Sequence, residues 1–165
     1  MTEQNRIFTY GTAEVPPTCR AVAAGPISAL IEGGALRQIS CGSVELVRQI
    51  DFPIRDESWA TFTPEVTFED LSETAAGFRF EQRFNIDGGA LECRVVYSAS
   101  ADGSVTAMGE AKATRDFTTN RSGFTLLHPI VGVAGHPVVV TAPDGETTDT
   151  VMPELISPAQ PIKNI

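Results

Sequence analysis

The chain has 165 residues, a hydrophobic fraction of 42% and a formal net charge of −9 at pH 7. This length fits one domain with a core large enough to fold without disulfides or metals. The acidic balance excludes nucleic acid and disfavours anionic membranes as partners, because both select a basic surface. The 14 glycines, 11 prolines and many short apolar runs favour a β-rich chain.

Cysteine usage and the N-terminus narrow the class further. Cys19, Cys41 and Cys93 lie far apart, with no Cys-x-x-Cys pair or Cys/His cluster, so neither a disulfide framework nor a metal site is predicted. Their apolar surroundings predict core positions. No signal-peptide pattern is present, and no apolar run approaches the ~20 residues of a membrane span. We therefore expect a soluble cytoplasmic protein without a cofactor.

Strand patterns begin with a hairpin. Two apolar-rich runs flank Gly33-Gly34 in PISALIEGGALRQISCG, and this dipeptide supplies the positive φ angles of a tight turn. A second extended segment is predicted in SVELVRQIDFPI, ending near Pro53. The one candidate helix is PEVTFEDLSETAAG, although Thr67 and Phe68 weaken it.

Period-two alternation continues through the middle of the chain. Phe78, Phe80 and Phe84 share one predicted strand face, and Asp87-Gly88 and Asp102-Gly103 predict hairpin turns. The opposite face of these strands contains Arg79, Glu81, Arg83, Glu92, Arg94, Glu110 and Lys112. A carbohydrate-binding or domain-docking face would look like this, but a solvated face of weak salt bridges is favoured.

The spacing of strands and turns predicts an all-β fold, an antiparallel β-sandwich with little helix. We expect this sandwich to occupy residues 1–152. Residues 153–165 are Pro-rich and predict a linker towards a further domain, and no internal repeat is present.

Two polar stretches could carry chemistry. In NRSGFTLLHP, Arg121 could clamp a carboxylate or lactone oxygen, Asn120 could bond a sugar hydroxyl, and His128 could move a proton. The alternative is that these residues only hold the ends of a core strand, and spacing alone favours it. In one straight strand residues 120 and 128 would lie roughly 27 Å apart, too far to share a monosaccharide.

The loop IRDESW contains the single Trp. Trp59 offers a flat face for a sugar ring, with Arg55 and Asp56 beside it to read hydroxyl groups. The alternative is a Trp packed against the end of the sandwich with two surface charges next to it. The sequence contains no G-x-S-x-G nucleophile elbow and no phosphate-binding glycine loop, so spacing alone predicts no catalyst.

Several phrases together resemble one family, the N-terminal region of D-apionate lactonase-type proteins. These phrases are IRDESWATFTPEV, NRSGFTLLHPIVGVAGHPVVV, DGETTDTVMPELISP and QPIKNI. The family belongs to bacterial catabolism of the branched sugar apiose and opens the lactone of its acid. The matching residues are Arg55, Asp56, Trp59, Asn120, Arg121, Gly123, Phe124, His128, Pro129 and Gly135.

The resemblance implies a small sugar acid or lactone as ligand and a larger C-terminal catalytic domain as partner. We expect this chain alone to be inactive, with Arg55, Asp56, Trp59, Asn120 and Arg121 binding substrate and His128 acting as catalyst. A non-catalytic carbohydrate-binding or scaffolding module is the first alternative. A stand-alone sugar epimerase, similar in architecture to the mutarotase-like supersandwich, is the second. Assembly into a homo-oligomer stays open.

Overall fold

The structure is a computed structural model that describes residues 1–154. It contains one helix, α1 (Glu3–Tyr10), and strands β1 (Cys19–Ala24), β2 (Ile27–Glu32), β3 (Ala35–Cys41), β4 (Val44–Asp51), β5 (Ile54–Arg55), β6 (Glu65–Thr74), β7 (Gly77–Ile86), β8 (Leu91–Ser100), β9 (Val105–Ala113), β10 (Arg121–Ser122), β11 (Thr125–Leu127), β12 (Pro137–Thr141) and β13 (Thr147–Val151). The predicted linker 153–165 lies outside the described residues from position 155 onward.

The strands form two main antiparallel sheets. One has the order β1-β2-β3-β4-β11 and the other the order β6-β7-β8-β9. Two small sheets, β5 with β10 and β12 with β13, complete the described part. The predicted all-β antiparallel sandwich is confirmed.

The core lies between the two main sheets. Leu36 and Ile39 enter it from one sheet, and Phe80 and Tyr97 enter it from the other, with their rings stacked 6.2 Å apart. An ion pair between Arg20 on β1 and Glu69 on β6 links the sheets at their edges. All residues of this core cluster lie between Val22 and Phe124.

Local turn chemistry explains the predicted hairpins. Gly33 and Gly34 both have positive φ between β2 and β3, as the Gly-Gly signal predicts. Phe78, Phe80 and Phe84 point inward from β7, confirming the period-two pattern.

Two elements differ from expectation. The segment Glu65–Thr74 forms strand β6 rather than a helix, because β7 pairs with it along its whole length. The helix of this structure is α1 near the N-terminus, which the sequence reasoning missed. Its signals are end signals: the Thr2 side chain accepts from the Asn5 amide, and Gly11 closes the helix in the left-handed conformation.

The cysteines also differ from expectation. Cys93 is buried as predicted, and burial raises its pKa to about 11. Cys19 and Cys41 are exposed, because each lies at an end of its strand, beyond the core. Within residues 1–154 no group of three or more His, Cys, Asp or Glu is arranged to hold a metal ion.

The outer face of β7 is not uniformly solvated. Glu81 is only 5% exposed, and its carboxylate accepts from Arg94 Nε at 2.9 Å, Arg79 Nη2 at 2.5 Å and Arg83 Nε at 2.8 Å. These guanidinium groups, Arg94 first, hold the pKa of Glu81 well below its usual range. The predicted ion pairs are present, but they enclose one buried carboxylate instead of lying singly in water.

Candidate ligand cleft

A cleft forms where two very short strands meet at one end of the sandwich. Pro53 interrupts the chain after β4, and the two residues that follow pair with β10 as Arg55 opposite Arg121 and Ile54 opposite Ser122. The Thr119 hydroxyl and the Asn120 amide both donate to the Arg55 carbonyl, at 2.8 and 2.9 Å. These bonds bring two segments that are more than sixty residues apart in sequence into one wall of the cleft.

The loop after Arg55 is shaped by Asp56. Its Oδ1 accepts from the Ser58 amide at 2.8 Å and from the Ala60 amide at 3.0 Å. This arrangement holds Trp59 at a φ of 70°, and Arg55 Nη1 donates to the Trp59 carbonyl at 3.1 Å. Residues other than glycine rarely adopt such a φ. The hydrogen bonds of the loop therefore hold the Trp59 backbone, and with it the start of the side chain, in an unusual conformation.

Arg121 lies against the indole. Its guanidinium carbon is 5.1 Å from the centre of the Trp59 ring, which is 52% exposed. A guanidinium at this distance is attracted by the negative face of the ring. Trp59 therefore positions Arg121 at the mouth of the cleft and leaves part of its own surface open to solvent.

The cleft measures about 640 Å³. It is lined by Pro53, Arg55, Trp59, Asn120, Arg121, Ser122, Gly123, Phe124 and Thr125. Among residues 1–154, Arg55 and Arg121 are the charged residues that line it, and no Asp or Glu of this part of the chain does so. Phe124 connects the cleft to the core, since its ring lies 5.0 Å from Phe52 and 6.4 Å from Tyr97.

Most arginines of the described chain form ion pairs, whereas Arg6, which donates to the Ala13 and Met1 carbonyls, and the two arginines of this cleft do not. Seven arginines of the described chain contact carboxylates: Arg20, Arg37, Arg48, Arg79, Arg83, Arg94 and Arg115. Among residues 1–154, Arg55 and Arg121 have no such partner. Two uncompensated guanidinium groups beside an aromatic ring and an amide suit an anion that also carries hydroxyl groups.

The structure therefore brings together four of the six predicted site residues, Arg55, Trp59, Asn120 and Arg121. Asp56 does not line the cleft, because its carboxylate is directed at loop amides. The sequence reasoning missed Ser122 and Thr125 as lining residues. Both lie within four residues of Arg121, but no local pattern places them at the cleft, because its wall depends on the pairing of β10 with β5.

His128 lies elsewhere. The segment is not one straight strand, because Gly123, at a φ of 138°, separates β10 from β11 and the two strands join different sheets. His128 and His136 line a second, open cavity of about 500 Å³, with Val133, Val138 and Met152 among its walls. Within residues 1–154 no Asp or Glu lines this cavity, so the described residues place no His–acid pair there.

Two comparisons with known proteins bear on this arrangement. Residues 7–165 match the family model described as D-apionate lactonase, N-terminal domain. A D-apionate lactonase from Brucella anthropi is 34% identical over 168 residues, an alignment that covers 100% of this chain. This chain belongs to the D-apionate lactonase family.

The D-apionate lactonase match also shows how the length of this chain compares with that of its relative. It spans 28% of the length of the Brucella protein, so most of that lactonase lies outside the match. No solved structure matches the chain, and the likeness to mutarotase-like supersandwiches stays a prediction. Within the described residues no helix is long and apolar enough to cross a membrane.

Proposed function

We propose that this chain is the ligand-binding N-terminal domain of a D-apionate lactonase-like enzyme, and that the cleft binds a sugar acid or its lactone. One observation carries the proposal: in a chain of net charge −9, two arginines and a Trp line one cleft that no Asp or Glu of the described residues lines. A sugar acid offers the carboxylate and hydroxyl groups that this set recognises.

The proposed roles follow from the geometry. Arg121, held by the Trp59 ring, and Arg55, held by the Trp59 carbonyl, contact the carboxylate or the lactone carbonyl oxygen. Asn120 bonds a ring hydroxyl, and the open part of the indole packs on apolar ring carbons. Asp56 serves as a positioning residue that shapes the loop.

The cleft is a binding site rather than a complete catalytic site. Lactone hydrolysis needs a group that activates water and donors that stabilise the oxyanion. The arginines can serve the oxyanion, but no Asp, Glu or His lines the cleft in the described part of the chain. The water-activating group is therefore assigned to the part of the enzyme outside this chain.

Calorimetric titration of the chain with D-apionate tests the proposal, with neutral apiose as the ligand control. We expect Arg121→Ala and Arg55→Ala each to weaken apionate binding by roughly tenfold or more, since a charge-assisted hydrogen bond contributes about 1.5–3 kcal/mol. The matched control is Arg115→Ala, an exposed arginine that pairs with Asp87. It should leave binding unchanged.

A Trp59→Ala variant separates binding from folding. We expect weaker apionate binding with a melting temperature close to that of the parent, because the indole is half exposed. Equal affinity for apiose and apionate would instead indicate a general carbohydrate-binding module. A large loss of stability without a loss of binding would return Trp59 to a packing role.

A further inference from the structure

The last thirty described residues carry apolar side chains that nothing in the described chain covers. Ile130, Val131, Val139 and Val151 are all exposed, Val131 at 89% and Val139 at 62%. We refer to these four residues as the C-terminal apolar surface. The cavity lined by His128 and His136 has walls from both the turn at 132–133 and strand β12, so the turn lies next to the hairpin.

This region lacks a core of its own. No residue from 130 to 154 is buried, and none belongs to the core cluster. Within residues 1–154, strands β12 and β13 pair only with each other. The Gly135 amide donates to the Met152 carbonyl and the Met152 amide to the His136 carbonyl, which ties the hairpin to the preceding turn. An isolated two-stranded hairpin is at best marginally stable in water, because its few contacts barely offset the entropy of ordering the chain.

Charge narrows the choice of partner. No Lys or Arg occurs between Arg121 and Lys163, whereas Asp144, Glu146, Asp149 and Glu154 all lie in this stretch. Two copies meeting through this face would place like charges opposite each other, since a two-fold interface brings the same patch together. A partner with an apolar centre and a basic rim fits better.

The matched family offers a candidate partner, the remainder of the same polypeptide. The chain corresponds to the N-terminal domain and to 28% of the Brucella lactonase. A region joined to the same polypeptide meets this surface at high effective concentration, so modest contacts suffice for stable docking.

We propose that the C-terminal apolar surface is the docking face for the region of the lactonase that follows the N-terminal domain. That region covers the four apolar residues with an apolar patch of its own and sets Lys or Arg side chains against the acidic hairpin. Docking orders the β12–β13 hairpin. The inference depends on family membership and the exposed face, not on the ligand of the cleft.

Hydrogen exchange of the amides of residues 137–151 tests it in two proteins. One is the 165-residue chain, and the other is a hybrid in which this chain replaces the matched region of the Brucella anthropi enzyme. We expect fast exchange in the chain alone and exchange slower by roughly tenfold or more in the hybrid. Val131→Asp and Val139→Asp should each abolish the added protection in the hybrid.

Matched controls keep the result specific. Val44 is 60% exposed on the outer face of the five-stranded sheet and matches Val139, whereas Val15, at 76%, matches Val131. Val44→Asp and Val15→Asp should leave the hybrid's protection intact. Because Val131 lies in the turn, its variant tests docking without placing a charge inside the hairpin.

Three results would overturn the inference. Equal exchange rates in the chain and in the hybrid would mean that nothing docks on this surface. If the hybrid aggregates, mixing the chain with the separate remainder of the Brucella enzyme provides the same comparison. Protection of the free chain that grows with its concentration would identify a second copy as occupant. Protection lost on removing residues 155–165 would identify the chain's own end. Apionate titration of the same samples reports on the cleft separately.

Discussion

At the scale of single residues, the arginines divide by their partners. Three of them, Arg79, Arg83 and Arg94, enclose the Glu81 carboxylate, while Arg55 and Arg121 contact no carboxylate among residues 1–154. The first arrangement holds one face of a sheet together. The second leaves two guanidinium groups at the cleft, where we propose that they bind a ligand.

The Glu81 cluster gives a prediction about stability. Glu81→Gln keeps the size of the side chain but leaves Arg79 and Arg83 without a carboxylate partner and Arg94 with Glu110 alone. We expect the free energy of unfolding to fall by about 1–3 kcal/mol in urea denaturation. Glu110→Gln is the control, because that exposed carboxylate also pairs with Arg94 and should change stability by less than about 0.5 kcal/mol. Equal effects of the two variants would contradict a special role for the buried carboxylate.

The same cluster predicts how stability depends on pH. The folded-state pKa of Glu81 lies well below the ordinary value of 4.5, so below that value the unfolded chain binds a proton that the folded chain does not. The stability that Glu81 contributes is therefore complete above about pH 5 and declines as pH falls towards about 2. Unfolding of the parent and of Glu81→Gln, compared across that range, should show their difference shrinking with acidity. A constant difference would mean that Glu81 titrates normally.

The residues of the cleft were predictable one by one but not as a set. Trp, Arg and Asn are recognisable ligand-binding types wherever they occur in a sequence. Their meeting depends on the pairing of β5 with β10, two strands of two residues each, which no local pattern encodes. The position of His128 depends on the bend at Gly123. After this bend the chain enters β11 of another sheet, and His128 follows that strand.

At the scale of elements, strand β9 contacts the aromatic residues that lie beneath the cleft. A Cβ atom at Gly109 would overlap the Phe52 ring. Phe52 in turn lies edge-on to Phe124, which lines the cleft. The missing side chain at Gly109 thus leaves room for the Phe52–Phe124 pair beneath the cleft.

Gly109→Val tests this connection. Overpacking a tightly filled site costs about 1–3 kcal/mol, so we expect a lower melting temperature together with weaker apionate binding. Thr106→Val on the exposed face of the same strand should change neither quantity. A variant that lost stability but bound apionate as the parent does would separate β9 from the cleft.

Elements with strong local signals were predictable, and those decided by tertiary pairing were not. The β2–β3 hairpin follows from Gly33-Gly34, and β7 follows from its alternating Phe residues. The window that contains β6 is the one candidate helix of the sequence, weakened by Thr67 and Phe68, and its pairing with β7 decides the conformation. The short helix α1 buries no residue, so it has no apolar stripe to read.

At the scale of the whole molecule, the sandwich contains the core, whereas the C-terminal apolar surface is exposed. The all-β class was predictable from turn spacing, because an antiparallel sandwich repeats its turns along the chain. The exposed apolar surface was not predictable residue by residue, since valines in a hairpin read like core valines until their neighbours are known.

Lactone opening by the chain alone is the measurement at this scale. We expect acid release from apionolactone, followed at constant pH, to equal the spontaneous rate, because the cleft contains no water-activating side chain in the described chain. Turnover above that rate, absent in His128→Ala and Arg121→Ala variants that remain folded, would contradict the expectation and make the chain a self-sufficient enzyme.

The stretch without Lys or Arg has a consequence for anyone who handles this protein with proteases. Trypsin cleaves only after those residues, so after Arg121 it has no site before Lys163, and the entire C-terminal apolar surface falls within one peptide. Survival of that peptide in a tryptic digest says nothing about whether the hairpin is ordered. Thermolysin, which cuts beside apolar residues such as Val131 and Val139, would instead report directly on whether the face is covered.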